Sequence, residues 1–166
     1  IREASKLGVP LVEFDVRSSS DGELFVIHDR TLARTTDGTG RVSRTTANDL
    51  RLLDAGAWFS EKFAGERIPS LAQALYALGP DTVAAIELKT RAAVMPLVLD
   101  AMRKADKVDQ TVVFSFHPRQ VQAARRVAPT VPTLLLIDPT RTGVPYSLAA
   151  IETAVAIGAS AVGLNH

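Results

Sequence analysis

A chain of 166 residues that is 46% hydrophobic and 22% charged has the composition of one globular domain with a sizeable core. Its 19 basic and 18 acidic residues leave a net charge of +1 with the signs interspersed, which excludes a nucleic-acid stripe or a basic membrane-binding face and leaves a small molecule as the expected partner. The absence of cysteine excludes disulfide scaffolds, thiolate metal sites and a cysteine nucleophile, and no apolar run approaches the length of a membrane span; compartment and oligomeric state are left open.

Residues 1–8 show no signal-peptide pattern and read as the last turns of a helix closed by Gly8, so a chain opening inside a helix is expected to have lost its start. Leu11-Val12-Glu13-Phe14-Asp15-Val16-Arg17 is then an apolar strand interrupted by two carboxylates. Alternation puts Glu13 and Asp15 on one face and Val12, Phe14 and Val16 on the other. Two anions held this close resist ionisation unless a cation or a proton lies between them, and a hard divalent cation is the simplest remedy. The plain alternative is a solvent-facing strand whose polar side is acidic.

Ser20-Asp21-Gly22-Glu23 separates this strand from Leu24-Phe25-Val26-Ile27-His28-Asp29. So short a connection cannot make a parallel crossover, and Asp-Gly favours a hairpin. A two-residue tip at Asp21-Gly22 predicts that His28 stands directly across from Asp15, delivering an imidazole to the acid pair.

Residues 29–40 read as a polar surface loop folded over the site, and Thr46 as the cap of a short helix over residues 47–53. Trp58 and Phe59 are expected to pin this excursion onto the body, with Trp58 a candidate for the mouth of a cleft. Pro69-Ser70 opens a helix over 71–78, ended by Gly79-Pro80.

From there apolar runs alternate with helices. Strands are predicted over 82–89, 111–116, 133–137 and 161–165, and helices over 92–104 (interrupted near its start by Pro96), 118–127 and 147–157. Such alternation indicates parallel βα units with right-handed crossovers. A doubly wound sheet would carry a Gly-rich phosphate loop after its first strand, and none is present. In a TIM (β/α)8 barrel, functional residues gather where strands end, which is the pattern of Glu13 and Asp15, Glu87 and Lys89, Ser115, and Asn165-His166. The expected fold is therefore an α/β TIM barrel, present as one partial domain over residues 1–166 with a small insertion at about 17–70. Closure needs about eight strands, so one is expected before Ile1 and two beyond His166.

Glu87 and Lys89 repeat the spacing of Glu13 and Asp15. Glu87 would complete a three-carboxylate oxygen site suited to Mg2+ or Ca2+, with Lys89 supplying the remaining positive charge. The alternative is a structural ion pair inside the barrel. Ser115 and His117, at a strand-to-helix turn on the same face, are candidate substrate contacts, although starting a helix is the plainer role for His117.

These residues carry a resemblance. Val12-Glu13-Phe14-Asp15-Val16, Asp21-Gly22, Val26-Ile27-His28-Asp29, Thr31-Leu32, Arg34-Thr35-Thr36 and Gly38 are similar to the glycerophosphodiester phosphodiesterase family. Asp54-Ala55-Gly56, Trp58-Phe59, Ile68-Pro69-Ser70-Leu71, Ile86-Glu87-Leu88-Lys89 and Ser115-Phe116 extend the resemblance in order over nearly the whole chain. It implies a metal-dependent TIM-barrel enzyme that hydrolyses glycerophosphodiesters to glycerol 3-phosphate and an alcohol. In that picture Glu13, Asp15 and Glu87 hold the metal, His28 is one of two catalytic histidines and the expected acid, and Lys89 lies near the phosphate. The family's His-Arg-Gly block, carrying the other histidine, and its Glu-Asn-Thr block would lie before Ile1, and its late tryptophan-bearing strand beyond His166. The residues taken alone also admit a metal-dependent sugar isomerase or aldolase-type barrel with Lys89 as an electrostatic or Schiff-base residue, or a catalytically incomplete binding barrel.

Overall fold

The computed structural model describes residues 1–138 and 148–164; the candidates Asn165 and His166 lie outside the described residues. Helix α1 (Arg2–Lys6) ends at Gly8, whose φ of +72° lets its N–H donate to the Ser5 carbonyl at 3.0 Å. Then follow β1 (Leu11–Ser18), β2 (Leu24–Val26), α2 (Ala47–Leu52), α3 (Leu71–Tyr76), β3 (Val83–Leu88), α4 (Met95–Lys104), β4 (Thr111–Ser115), α5 (Pro118–Val127), β5 (Thr133–Ile137), α6 (Leu148–Ala156) and β6 (Ala161–Leu164). No helix among the described residues is long and apolar enough to cross a membrane.

The strands form one sheet in the order β2-β1-β3-β4-β5-β6, antiparallel only between β1 and β2. From β1 onward the spatial order is the chain order, with no reversal and so no topological switch point. That is the wall of an α/β barrel and not a doubly wound sheet. The wall is not closed among the described residues.

Helices cover one face of the arc. Phe14 and Val16 of β1, Ile86 and Leu88 of β3 and Val113 of β4 bury against Leu71 and Leu75 of α3 and Val98 and Met102 of α4. Full burial of an aliphatic side chain is worth about 1.5–3 kcal/mol, so this layer fixes which way each strand faces. The other face is left to Glu13, Asp15, Glu87 and Lys89. Helix starts follow local chemistry: Thr46 accepts from the Asp49 N–H, and Ser70 and Gln73 form a reciprocal capping box. Pro96 does not interrupt a helix begun at residue 92; it lies in the first turn of α4, where its missing N–H leaves no bond unmade.

Two expectations about the insertion are corrected. The hairpin pairs Val16 with Val26, Arg17 with Phe25 and Ser18 with Leu24, one residue away from the predicted register. Its loop has three residues, Ser20-Asp21-Gly22, closed by the Ser19 N–H on the Glu23 carbonyl at 2.8 Å, with Gly22 at φ +91°. Asp21 is held at the centre of that loop, its carboxylate accepting from the Ser19 hydroxyl at 2.6 Å and from the Ala47 N–H of α2 at 2.9 Å. Ile27, not His28, therefore meets Asp15, donating its N–H to the Asp15 carbonyl at 3.0 Å.

Trp58 and Phe59 do not pin the excursion; they are 51% and 70% exposed and stack edge-on at 5.8 Å. The excursion is held by a second small core of Phe25, Ile27, Leu32, Val42, Ala47, Leu50 and Ile68. Asp54 adds a polar anchor, accepting the N–H groups of Gly56, Ala57 and Gly65.

Candidate active site

Strand alternation and parallel register together build the site. Asp15 lies directly beside Glu87 and Glu13 beside Ala85, so residues of like parity on β1 and β3 share the open face. One carboxylate oxygen from each of Glu13, Asp15 and Glu87 falls within 4.8 Å of the others. Lys89, just past the end of β3, sets its Nζ 3.1 Å from Asp15 Oδ1 and 3.6 Å from Glu87 Oε1. Burial first, and then repulsion from Asp15 and Glu87, raises the pKa of Glu13 above its ordinary value, while Lys89 and His28 oppose the rise.

This donor set suits a hard cation. Oxygens bound at about 2.4 Å to one ion stand at most about 5 Å apart, and the observed spread lies within that limit. A cluster of three acids countered by one lysine also carries a net negative charge that a divalent ion would offset.

His28 reaches the same region by another route than the predicted one. It follows β2, and its ring lines a cleft of ≈ 940 Å³ together with Glu87, Lys89 and His117. The ring is 64% exposed and its Nδ1 sits 2.8 Å from Asp29 Oδ1. Asp29 also receives Arg34 through two bonds, of 2.5 and 2.9 Å. The Arg34 bonds first, and the His28 bond second, hold the Asp29 carboxyl far below the usual carboxylate range. An ionised Asp29 only accepts, so Nδ1 carries the proton of this hydrogen bond and Nε2 is the ring nitrogen not engaged by Asp29.

Ser115 is fully buried, its hydroxyl donating to the Leu88 carbonyl at 2.7 Å and accepting from the His117 N–H at 3.0 Å. It offers nothing to a substrate and instead ties β3, β4 and the His117 turn together. His117 is the residue before α5, and it lines the cleft.

Arg17 was not singled out in the sequence, although it continues the Glu13, Asp15 alternation by one more step. Its guanidinium donates to the backbone carbonyls of His28 at 2.9 Å and Lys89 at 3.2 Å, so one side chain joins the segments carrying both residues. Asp29 and Arg34 stand in the family pattern, but nothing local in the sequence shows that the turn folds Arg34 back onto Asp29.

The sequence matches the glycerophosphoryl diester phosphodiesterase family over residues 1–166. It is 37% identical over 133 residues to a glycerophosphodiester phosphodiesterase of Caldanaerobacter subterraneus, covering 77% of this chain and 55% of that one. It is 30% identical over 154 residues to the glycerophosphodiester phosphodiesterase of Bacillus subtilis, covering 81% and 52%. The chain thus spans about half the length of these relatives. A crystal structure of the Agrobacterium tumefaciens glycerophosphodiester phosphodiesterase superposes with a TM-score of 0.73 at 27% identity, over 98% of this chain and 86% of that one. An Oleispira antarctica phosphodiesterase, solved in complex with the product sn-glycerol-3-phosphate, superposes with a TM-score of 0.82 at 24% identity, over 98% and 66%; that likeness is one of fold. With a TIM-barrel wall, an acid cluster on its open face and a family match along its whole length, the chain belongs to the glycerophosphoryl diester phosphodiesterase family.

Proposed function

We propose that a protein carrying residues 1–166 hydrolyses glycerophosphodiesters to glycerol 3-phosphate and an alcohol, using a divalent cation, Mg2+ or Ca2+, held by Glu13, Asp15 and Glu87. In this reading residues 1–166 are a single partial TIM-barrel phosphodiesterase domain with its insertion at about 17–70. The observation that carries it is the convergence of three carboxylate oxygens within 4.8 Å of one another, with Lys89 3.1 Å from Asp15.

A phosphodiester is an anion that gains charge at its non-bridging oxygens as a nucleophile arrives. Bound at the three acids, the cation supplies positive charge against that gain. Lys89, already 11% exposed and fixed between Asp15 and Glu87, presents a second positive charge to the phosphate. His28, with Nδ1–H held by Asp29, acts in its doubly protonated form as the acid: the Nε2 proton passes to the departing alkoxide and leaves the neutral ring with its proton on Nδ1. Arg17 keeps the His28 and Lys89 backbones at fixed separation while this happens. His117 contributes a polar edge to the substrate cleft, and Ser115 acts through His117 as a positioning residue.

Hydrolysis of glycerophosphocholine tests the proposal. Turnover should stop with EDTA and return with Mg2+ or Ca2+, and Glu87→Gln and His28→Asn should each lower kcat by about 100-fold or more. Turnover that ignores chelation, or a His28→Asn variant with full activity, would refute it.

A further inference from the structure

The cleft holds more positive charge than a single phosphodiester requires. Among its lining residues Glu87 is the only acid, whereas Arg17, Arg30, Lys89 and Arg91 are cations. Lys89 is paired with Asp15 and Glu87, and Asp29 with His28 and Arg34, whereas none of the three arginines makes an ion pair among the described residues. Arg30 stands at the first turn of the excursion and Arg91 two residues past Lys89, beyond the end of β3, which puts both on the rim outward of the acid cluster.

All three arginines line the same space. Neither the Arg30 nor the Arg91 guanidinium has a hydrogen bond or ion pair among the described residues.

Both arginines are also mounted on fixed backbone. Buried Gln120 donates Nε2 to the carbonyls of Thr90 at 2.8 Å and Ala92 at 2.7 Å, on either side of Arg91. Thr90 is held again by the Ser18 hydroxyl at 3.1 Å. The Arg30 carbonyl accepts the Val42 N–H at 3.2 Å. Unpaired guanidinium forks carried on held backbone around a polar cleft can bind an oxyanion through two parallel bonds.

We propose that this outer part of the cleft is a subsite for the alcohol half of the substrate, and that it selects an alcohol bearing its own phosphate over neutral or cationic headgroups. The proposal rests on the hydrolytic reading above and adds the substrate class to it. Choline would bring a positive charge to a rim already crowded with them.

Calorimetry in the His28→Asn background with Ca2+ present separates the two ideas. Glycerophosphoglycerol, the same compound phosphorylated on its terminal hydroxyl, and glycerophosphocholine are titrated in turn. The phosphorylated ligand should bind about tenfold or more tightly than its parent at low salt, with glycerophosphocholine weakest. The double substitution Arg30→Gln, Arg91→Gln should bring that preference to within about threefold, with the circular dichroism spectrum unchanged because both side chains are exposed. Equal affinities, including no measurable binding of any ligand, or a preference that survives the double substitution, would overturn the subsite. So would inorganic phosphate erasing the preference at equal concentration, since the rim would then hold any phosphate. Preference without hydrolysis by the parent protein would overturn the hydrolytic reading alone; hydrolysis of all three ligands without preference would overturn the subsite alone.

Discussion

Replacing Lys89 with methionine should move stability and metal affinity in opposite directions. The Lys89 ammonium stands 3.1 Å from Asp15 and 3.6 Å from Glu87, with all three side chains no more than 14% exposed. At an effective dielectric near 20, each attraction is about 5 kcal/mol before desolvation is counted. Deleting one partner of such a pair costs about 3–5 kcal/mol, because the acids are left buried without a counter-charge. Partial solvent access puts the expected loss for Lys89→Met near the lower end, about 3 kcal/mol in metal-free solution. A divalent cation entering the same cluster no longer meets a competing ammonium, so its affinity should rise by about tenfold or more. Saturating Ca2+ should then remove most of the stability deficit, while hydrolysis falls for want of the phosphate's second cation. Urea unfolding with and without Ca2+, paired with a calorimetric Ca2+ titration, reads both quantities. An equal loss of stability in both buffers, together with weaker Ca2+ binding, would refute the reading of this cluster as a cation site balanced by Lys89.

Other changes probe single links. The Glu13 carboxyl has its pKa raised, chiefly by burial, so its stabilising contribution is present below the unfolded value near 4.3 and is lost as pH climbs through the folded value. Glu13→Gln should therefore be more stable than the parent in metal-free buffer at pH 7, with the difference closing toward about pH 4; denaturant midpoints at the two pH values decide it. Asp29 has the opposite sign, since its pKa is depressed by Arg34 and then His28, and its contribution is present above about pH 3.9 and disappears on acidification. Asp29→Asn should be less stable at neutral pH and equal to the parent in strong acid, and should lower kcat by about tenfold or more with KM little changed, because the His28 ring loses its holder. Ser115→Ala should cost about 1–3 kcal/mol by leaving the Leu88 carbonyl and the His117 N–H without the buried hydroxyl, read as a shift in urea midpoint at constant slope.

Local covalent geometry explains which expectations survived. Side chains alternate along any strand, so the common face of Glu13 and Asp15 and that of Glu87 and Lys89 could be read directly, as could the βα rhythm and the caps at Thr46 and Ser70. Errors arose where a distant residue intervened. The hairpin tip grew to three residues because Asp21 bonds the Ala47 N–H, 26 positions away. Trp58 and Phe59 looked like anchors by size, yet smaller residues such as Leu32, Val42 and Leu50 fill the excursion's core and leave the rings outside. Ser115 sits at a strand end on the right side of the barrel, but the neighbouring Leu88 carbonyl takes its hydroxyl.

The amino-acid order alone determined the carboxylates' shared faces and the family pattern, because both are properties of bonded neighbours and of residues in sequence. Only the tertiary fold decided that Glu87 stands beside Asp15, that His28 arrives beyond the hairpin and is held by Asp29, and that Arg17 clamps His28 to Lys89. Those contacts join residues from separate strands and loops, and their positions depend on how the helix-covered core sets one strand against the next.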